Sequence, residues 1–257
     1  MAQRSTSQFS EMRREHKSFL ASAELKLLTF IALKLPDYVT PDKLSALGVI
    51  GAAMTAGACV ASVMNIDMMY VAILGLMINW FGDSLDGTLA RVRSIERPSY
   101  GFYIDLCSDL VSHSMIMFGL GLSSLMHLST ALMALLGSVF LQFYDLLQLP
   151  VSRVHRVSYF GLGFTEIRIL ISCGLMVVLL SGQRWVFLFN TMTIFDIGGV
   201  LVFVVSVIGV VSAFRRDRLK FARLDSAPFP ASIAVRRPAT VSRDPMDFFQ
   251  ADRKRAG

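Results

Sequence analysis

LSALGVIGAAMTAGACVASVMNIDMMYVAILGLMINWFG, residues 44 to 82, contains no Lys or Arg and a single carboxylate, Asp67. That run is about twice the roughly 20 apolar residues a helix needs to cross a bilayer. It breaks naturally at Asn65-Ile66-Asp67, giving one span near 44–64 and a second beginning near 68. Further apolar stretches near 101–126, 129–149, 165–182 and 194–214 raise the count to six. The expected fold class is all-α: a polytopic membrane protein with six transmembrane helices.

The whole-chain composition agrees. Of 257 residues, 54% are hydrophobic and 17% charged, where a soluble domain carries about 25% charged residues; the mean hydropathy is +0.56. This excludes a secreted disulfide scaffold, a disordered chain and a simple cytosolic enzyme. Cys59, Cys107 and Cys173 are odd in number and each lies in an apolar stretch, so they read as small core residues. The opening MAQRSTSQFSEMRREHK has no apolar h-region, which predicts that no cleavable signal peptide is present.

Charge alternates along the connections. Arg4, Arg13, Arg14, Lys17, Lys26 and Lys34 precede the first span. Arg91, Arg93 and Arg97 follow the second, Arg153 and Arg156 the fourth, and Arg215, Arg216, Arg218 and Lys220 the sixth. The loops after spans one and three carry no Lys or Arg, and the loop after span five has only Arg184. The positive-inside rule then places both termini and the Arg-bearing loops in the cytoplasm. All of the net charge of +6 sits in residues 215 to 257, with eleven basic residues against five Asp. Such a tail suits anionic lipid; with no basic-plus-aromatic fold beside it, no nucleic-acid partner is expected.

Residues 1–17 read as a polar cytoplasmic N-terminus. In 18–36, Phe19, Leu20, Ala23, Leu27, Phe30, Ile31 and Lys34 recur near helical spacing, interrupted by Ser22, Glu24, Lys26 and Thr29. This predicts an N-terminal interfacial amphipathic helix ended by Pro36, the alternative being a cytosolic helix packed on protein. Residues 41–214 form the membrane domain. Residues 215–257, with Pro228, Pro230, Pro238 and Pro245 and little periodicity, read as a basic, disordered cytoplasmic tail.

Chemistry concentrates in Asp83-Ser-Leu-Asp86-Gly87-Thr-Leu-Ala90-Arg91, nine residues, then Gly101-Phe-Tyr-Ile-Asp105-Leu-Cys-Ser-Asp109. A carboxylate inside a span costs roughly 2.5–3.5 kcal/mol on insertion scales, so it must be paired, protonated or bound to a cation. The i,i+3 and i,i+4 spacings put each pair on one helix face. If span two leaves the membrane near Arg93 and span three enters near Ser99, Asp86 and Asp105 both lie about 10 Å deep at 1.5 Å per residue. Antiparallel neighbours would bring all four to one level, where they cannot all ionise without cations between them. Hard divalent ions with oxygen ligands, two of them bridging phosphate oxygens, are a recognised phosphoryl-transfer device. Gly87 and Ala90 leave room for a bulky anion, or else serve tight helix packing. Arg91 can fork onto a phosphate, or Arg91, Arg93 and Arg97 are an orientation-setting cluster. His113 and His127 read as lone packing or interface groups.

This stretch resembles the CDP-alcohol phosphotransferase (CDP-alcohol phosphatidyltransferase, class I) signature, D-x-x-D-G-x-x-A-R, eight or nine residues, G-x-x-x-D-x-x-x-D. All eight defining positions match, with the longer spacing. The resemblance implies a six-helix membrane enzyme, usually a homodimer. It would move a substituted phosphate from a CDP-linked donor such as CDP-diacylglycerol to a small alcohol and release CMP, in phospholipid biosynthesis at the cytoplasmic side of a bacterial membrane. Carried over by position, Asp83 and Asp105 would ligate two Mg²⁺ or Mn²⁺ ions, Asp86 the first and Asp109 the second, and Asp109 would be the catalytic base. Gly87, Ala90, Arg91 and Gly101 would hold the donor, with Arg97 near a further donor contact. Pro41-Asp42-Lys43-Leu44-Ser45 resembles the family's nucleotide-contacting P-[ND]-x-x-T segment, with Ser45 in place of Thr; Pro41-Asp42 is equally an ordinary helix start.

Arg153, Arg156 and Arg168 are candidate acceptor-binding residues, suited to a phosphate on the acceptor, or are plain cytoplasmic loop charge. Two other classes stay open. A membrane prenyltransferase also uses intramembrane Asp with Mg²⁺ and diphosphate but lacks the D-G-x-x-A-R core. A cation transporter or channel would use the acidic site without chemistry.

Overall fold

A computed structural model describes residues 13–15, 21–152, 154–156, 164–181, 186–187 and 191–226. Among the described residues there are seven helices: α1 (Ala21–Lys34), α2 (Pro41–Ala61), α3 (Met68–Val92), α4 (Pro98–Leu122), α5 (Leu128–Ser152), α6 (Phe164–Ser181) and α7 (Ile194–Ser226). Two short pairings accompany them. Strand β1 (Arg13–Glu15) runs parallel to β2 (Val154–Arg156), with Arg13 opposite Val154, and β3 (Val186–Phe187) runs antiparallel to β4 (Met192–Thr193). The all-α expectation contained neither pairing; segments this short carry no periodicity to read.

Among the described residues, four helical stretches are long and apolar enough to cross a membrane: Pro41–Ala61, Met68–Val92, Leu128–Gln148 and Ile194–Leu219. Length and composition thus support four of the six expected spans among the described residues. Helix α4 matches α3 in length at 25 residues. However, Asp105, Ser108, Asp109, Ser112, His113 and Ser114 thread polar groups through its middle. The apolar part of α6 is only Ile167–Ser181.

Local signals set the helix ends. Thr40 caps α2, its Oγ1 accepting from Lys43 N at 3.4 Å, and Pro41 takes the first helical position, where a missing N–H costs nothing. Helix α4 likewise opens on Pro98. The chain reverses after α3 through Ser94, at φ +53, a left-handed conformation uncommon for a residue with a Cβ.

Helix α2 lies between α3 and α4, and glycine lets it approach α3 backbone to backbone. A Cβ on Gly51 would stand 2.5 Å from Asn79 N and 2.7 Å from Gly75 O, and one on Gly75 2.5 Å from Thr55 Oγ1. Gly48 and Gly82 seal the same seam one turn further along, where Asn79 Nδ2 donates to Gly48 O at 2.9 Å. Without lipid-excluded hydrophobic surface to drive association, such close packing is what joins helices in a membrane. On the other side of α2, Gly119 of α4 abuts Ala56. Apolar side chains fill the rest: Leu76, Ile116, Leu120, Leu125 and Leu175 in one cluster, and Leu28, Ala32, Leu44, Leu85 and Leu89 in a second under α1.

The chain divides into two compact units, 1–213 and 214–257. In the second, the described part is helical and continues α7 through Arg215, Arg216 and Arg218 to Ser226. The basic segment that composition assigned to a disordered tail from 215 therefore begins as helix. Residues 227–257 and 1–12 lie outside the described residues.

Candidate functional site

The signature residues come from α3 and α4, and the fold brings three of the four carboxylates together. One oxygen each from Asp83, Asp105 and Asp109 lies within 4.8 Å of the others, and all three side chains are half-buried. Helix α6 completes the group: Arg168 Nη2 donates to Asp83 Oδ2 at 2.8 Å. Asp109 Oδ1 is buried with no hydrogen-bond partner. An all-oxygen donor set with such an orphaned lone pair fits a hard divalent cation.

Asp86 stands apart from that trio. Ser45 of α2 donates its hydroxyl to Asp86 Oδ2, and the Gly87 N–H donates to Oδ1, so both carboxylate oxygens are engaged. The glycine seam produces this contact, because it sets the depth of α2 against α3. Ser45 therefore reaches Asp86 as well as standing at the expected nucleotide segment.

Gly87 and Gly101 differ from the seam glycines. A Cβ on Gly87 would meet only Arg91 Nη1, at 3.5 Å, and one on Gly101 would meet nothing within 4 Å. Tight packing is therefore not why Gly87 is glycine; it faces open space.

The arginines separate by role. Arg93 is spent on the protein: Nη1 donates to Val39 O at 2.6 Å and Nη2 to Leu35 O and Pro36 O at 2.9 Å, capping the end of α1. Arg97 pairs with Asp42, both about half exposed, and stacks over Tyr100 at 4.2 Å. Two expected donor-side residues, on α2 and before α4, thus meet at the rim. Arg91 Nη2 donates to Thr88 Oγ1 at 3.1 Å beside half-buried Ala90. Arg168 is not a loop charge: it is 7% exposed and belongs to the acidic group. Arg153 and the side chain of Arg156 lie outside the described residues. Asp145 and Gln148 of α5 are buried.

Two constellations escaped the sequence. Glu24 Oε1 accepts from Trp80 Nε1 at 2.7 Å, Ser84 Oγ at 3.1 Å and Thr165 Oγ1 at 3.1 Å, joining α1, α3 and α6. Glu24, Leu27, Trp80, Thr165, Arg168 and Ile169 are among the residues lining a cavity of about 360 Å³ beside the acidic group. The usable signal was the four-residue spacing of Glu24 with Leu28 and Ala32, which puts it on the buried face of α1. At the other end of α4, Asp196 is fully buried. It accepts from His127 N and Thr193 N, each at 2.8 Å, and from Thr130 Oγ1, with His127 Nδ1 2.8 Å away. Asp196 N returns a bond to Thr193 Oγ1 at 3.2 Å, so Thr193-Ile-Phe-Asp196 is a capping box legible in sequence. His127 is therefore not a lone packing residue.

Comparison with protein-family models and with curated proteins finds no match to this chain.

Proposed function

We propose that this chain is an integral membrane CDP-alcohol phosphotransferase, transferring a phosphatidyl group from CDP-diacylglycerol to an alcohol with release of CMP. The observation that carries the reading is the convergence of Asp83, Asp105 and Asp109 from two helices, in a chain that matches all eight signature positions.

Asp83, Asp105 and Asp109, with Asp86 beside them, would hold Mg²⁺ or Mn²⁺. When bound, the metal neutralises charge on the diphosphate and on departing CMP. Gly87, Ala90 and Gly101 leave the diphosphate room, and Arg91 and Arg97 with Asp42 and Ser45 line its rim. Asp109 Oδ1, buried and unbonded, accepts the proton of the acceptor hydroxyl. The acceptor's oxygen then forms the new bond to phosphorus as the phosphorus–oxygen bond to CMP breaks. Ser45 and the Gly87 N–H orient Asp86 beforehand, so ordering it adds no cost when substrate arrives.

In this reading α4 and α6 also cross, making six spans with the acidic end cytoplasmic. Their polar groups are tolerable because Arg168 and the carboxylates compensate each other inside the bundle. Helix α1 lies at the interface, with Leu25, Phe30 and Leu33 outward and Leu28, Ala32 and Glu24 inward. Dimerisation, expected from the resemblance alone, is part of the proposal.

The test is purified protein with CDP-diacylglycerol, Mg²⁺ or Mn²⁺, and a panel of phosphorylated and unphosphorylated alcohols. CMP release requiring both metal and one particular alcohol, with the matching lipid seen by mass spectrometry, is the expected result. Absence of CMP release with every alcohol would overturn the reading.

A further inference from the structure

Three carboxylates held within 4.8 Å repel one another and need compensation before any ligand arrives. Helix α6 supplies a positive charge directly to one of them, Asp83, through Arg168. The Arg168 and Asp83 side chains are 8% and 19% exposed and 2.8 Å apart, so the charge is matched out of water. Yet the guanidinium is only partly used. Arg168 Nε is buried without a hydrogen-bond partner, as is Asp109 Oδ1. An Arg that presented its full fork to a carboxylate would place two N–H groups on it. Arg168 also lines the cavity of about 360 Å³, so it is not enclosed by protein on every side.

Resting on the proposed reaction, we propose that Arg168 is an internal counter-cation: it pairs with Asp83 until a divalent ion displaces it, and its released N–H groups turn to a phosphate oxygen of the donor. A divalent ion on Asp83 competes with the guanidinium for the same oxygen and repels it. A buried guanidinium without an acceptor is strongly unfavourable, so it needs the anion that arrives with the donor. Metal and diphosphate then bind with positive coupling, and reciprocity makes each tighten the other.

The experiment uses the full chain in detergent, with Mn²⁺ alone as the first probe and CDP at saturating Mn²⁺ as the second. Affinities are compared for wild type, Arg168→Gln and Arg168→Lys. Losing a charge-assisted bond corresponds to about 10- to 150-fold in affinity. Arg168→Gln should bind Mn²⁺ tighter by that order and CDP weaker by a similar factor. Arg168→Lys, which keeps the charge without the fork, should fall between. Opposite signs are the signature of displacement. Loss of both affinities together, or failure of both variants to fold, would assign the ion pair to structure and overturn the proposal. So would unchanged Mn²⁺ and CDP affinities with a raised acceptor KM, which would make Arg168 an acceptor ligand. Wild type that binds no Mn²⁺ or releases no CMP overturns the enzymatic reading itself; wild type that does both, with unshifted variants, overturns only this inference.

Discussion

The indole N–H of Trp80 donates to Glu24 Oε1 at 2.7 Å, and this bond ties the first helix to the one that carries Asp83. Ser84 and Thr165 share the same oxygen, so one carboxylate anchors three helices beside the acidic group. Glu24→Ala leaves those donors unmet, at about 1–3 kcal/mol for each buried one. A lower unfolding midpoint in detergent is expected, whereas Leu25→Ala, at an exposed position, should change it little. Equal midpoints for the two variants would remove the anchoring role.

Gly87 and Gly51 should respond oppositely to alanine. The Gly87 Cβ meets only Arg91 Nη1, and alanine raises helix propensity by up to about 1 kcal/mol. Gly87→Ala should fold as well as wild type and lose about tenfold or more in kcat/KM for the donor, which is ~1.4 kcal/mol of binding. Gly51→Ala would press on Asn79 N and should cost about 1–3 kcal/mol of stability through overpacking. Unfolding midpoints and CMP release together separate the two.

Asp109→Asn should abolish turnover while sparing most metal-dependent CDP binding. The amide cannot take the acceptor proton at Oδ1, and a general base contributes roughly 10²–10⁴-fold. Asp83 and Asp105 remain for the metal. Retention of more than about a tenth of wild-type rate would remove the base assignment.

Asp196→Ala should destabilise the protein without touching the chemistry. Five hydrogen-bonding groups on His127, Thr130 and Thr193 converge on that buried carboxylate, and removing it leaves several unsatisfied. The expected outcome is a clearly lower unfolding midpoint with normal specific activity at low temperature. A folded variant with impaired kcat would show that the two ends of α4 are coupled.

Topology can be read with single cysteines at Glu96 and Ser129, both exposed. An impermeant thiol reagent should label position 129 in intact cells and position 96 only after the cells are opened. Labelling of position 96 in intact cells would reverse the orientation and remove CTP-side access to the donor.

Some of this molecule was legible before any coordinates. The run 44–82, free of Lys and Arg, with its break at Asn65-Ile66-Asp67 marks α2 and α3, because a 20-residue apolar stretch has few alternatives to a helix. Pro41-Asp42 marks the start of α2 through helix-start chemistry that acts within one turn, and the structure adds Thr40 as its cap. The i,i+3 and i,i+4 spacings put each Asp pair on one face for the same local reason.

Partnership across helices was not legible. Nothing local says that Asp86 faces Ser45 while Asp83 joins Asp105 and Asp109, or that Arg93 serves carbonyls and Arg168 a carboxylate. Those outcomes depend on how deeply α2 seats against α3, which Gly48, Gly51, Gly75 and Gly82 set together from sites about thirty residues apart. Glu24 shows the same limit: its charge looked like an interruption of α1, and only Trp80, Ser84 and Thr165 made it an anchor. Helix formation depends on neighbours three and four residues away, so sequence alone determined the main helices and the acidic stripe. Which polar group meets which depends on backbone approach between distant segments, so the tertiary structure alone decided the site.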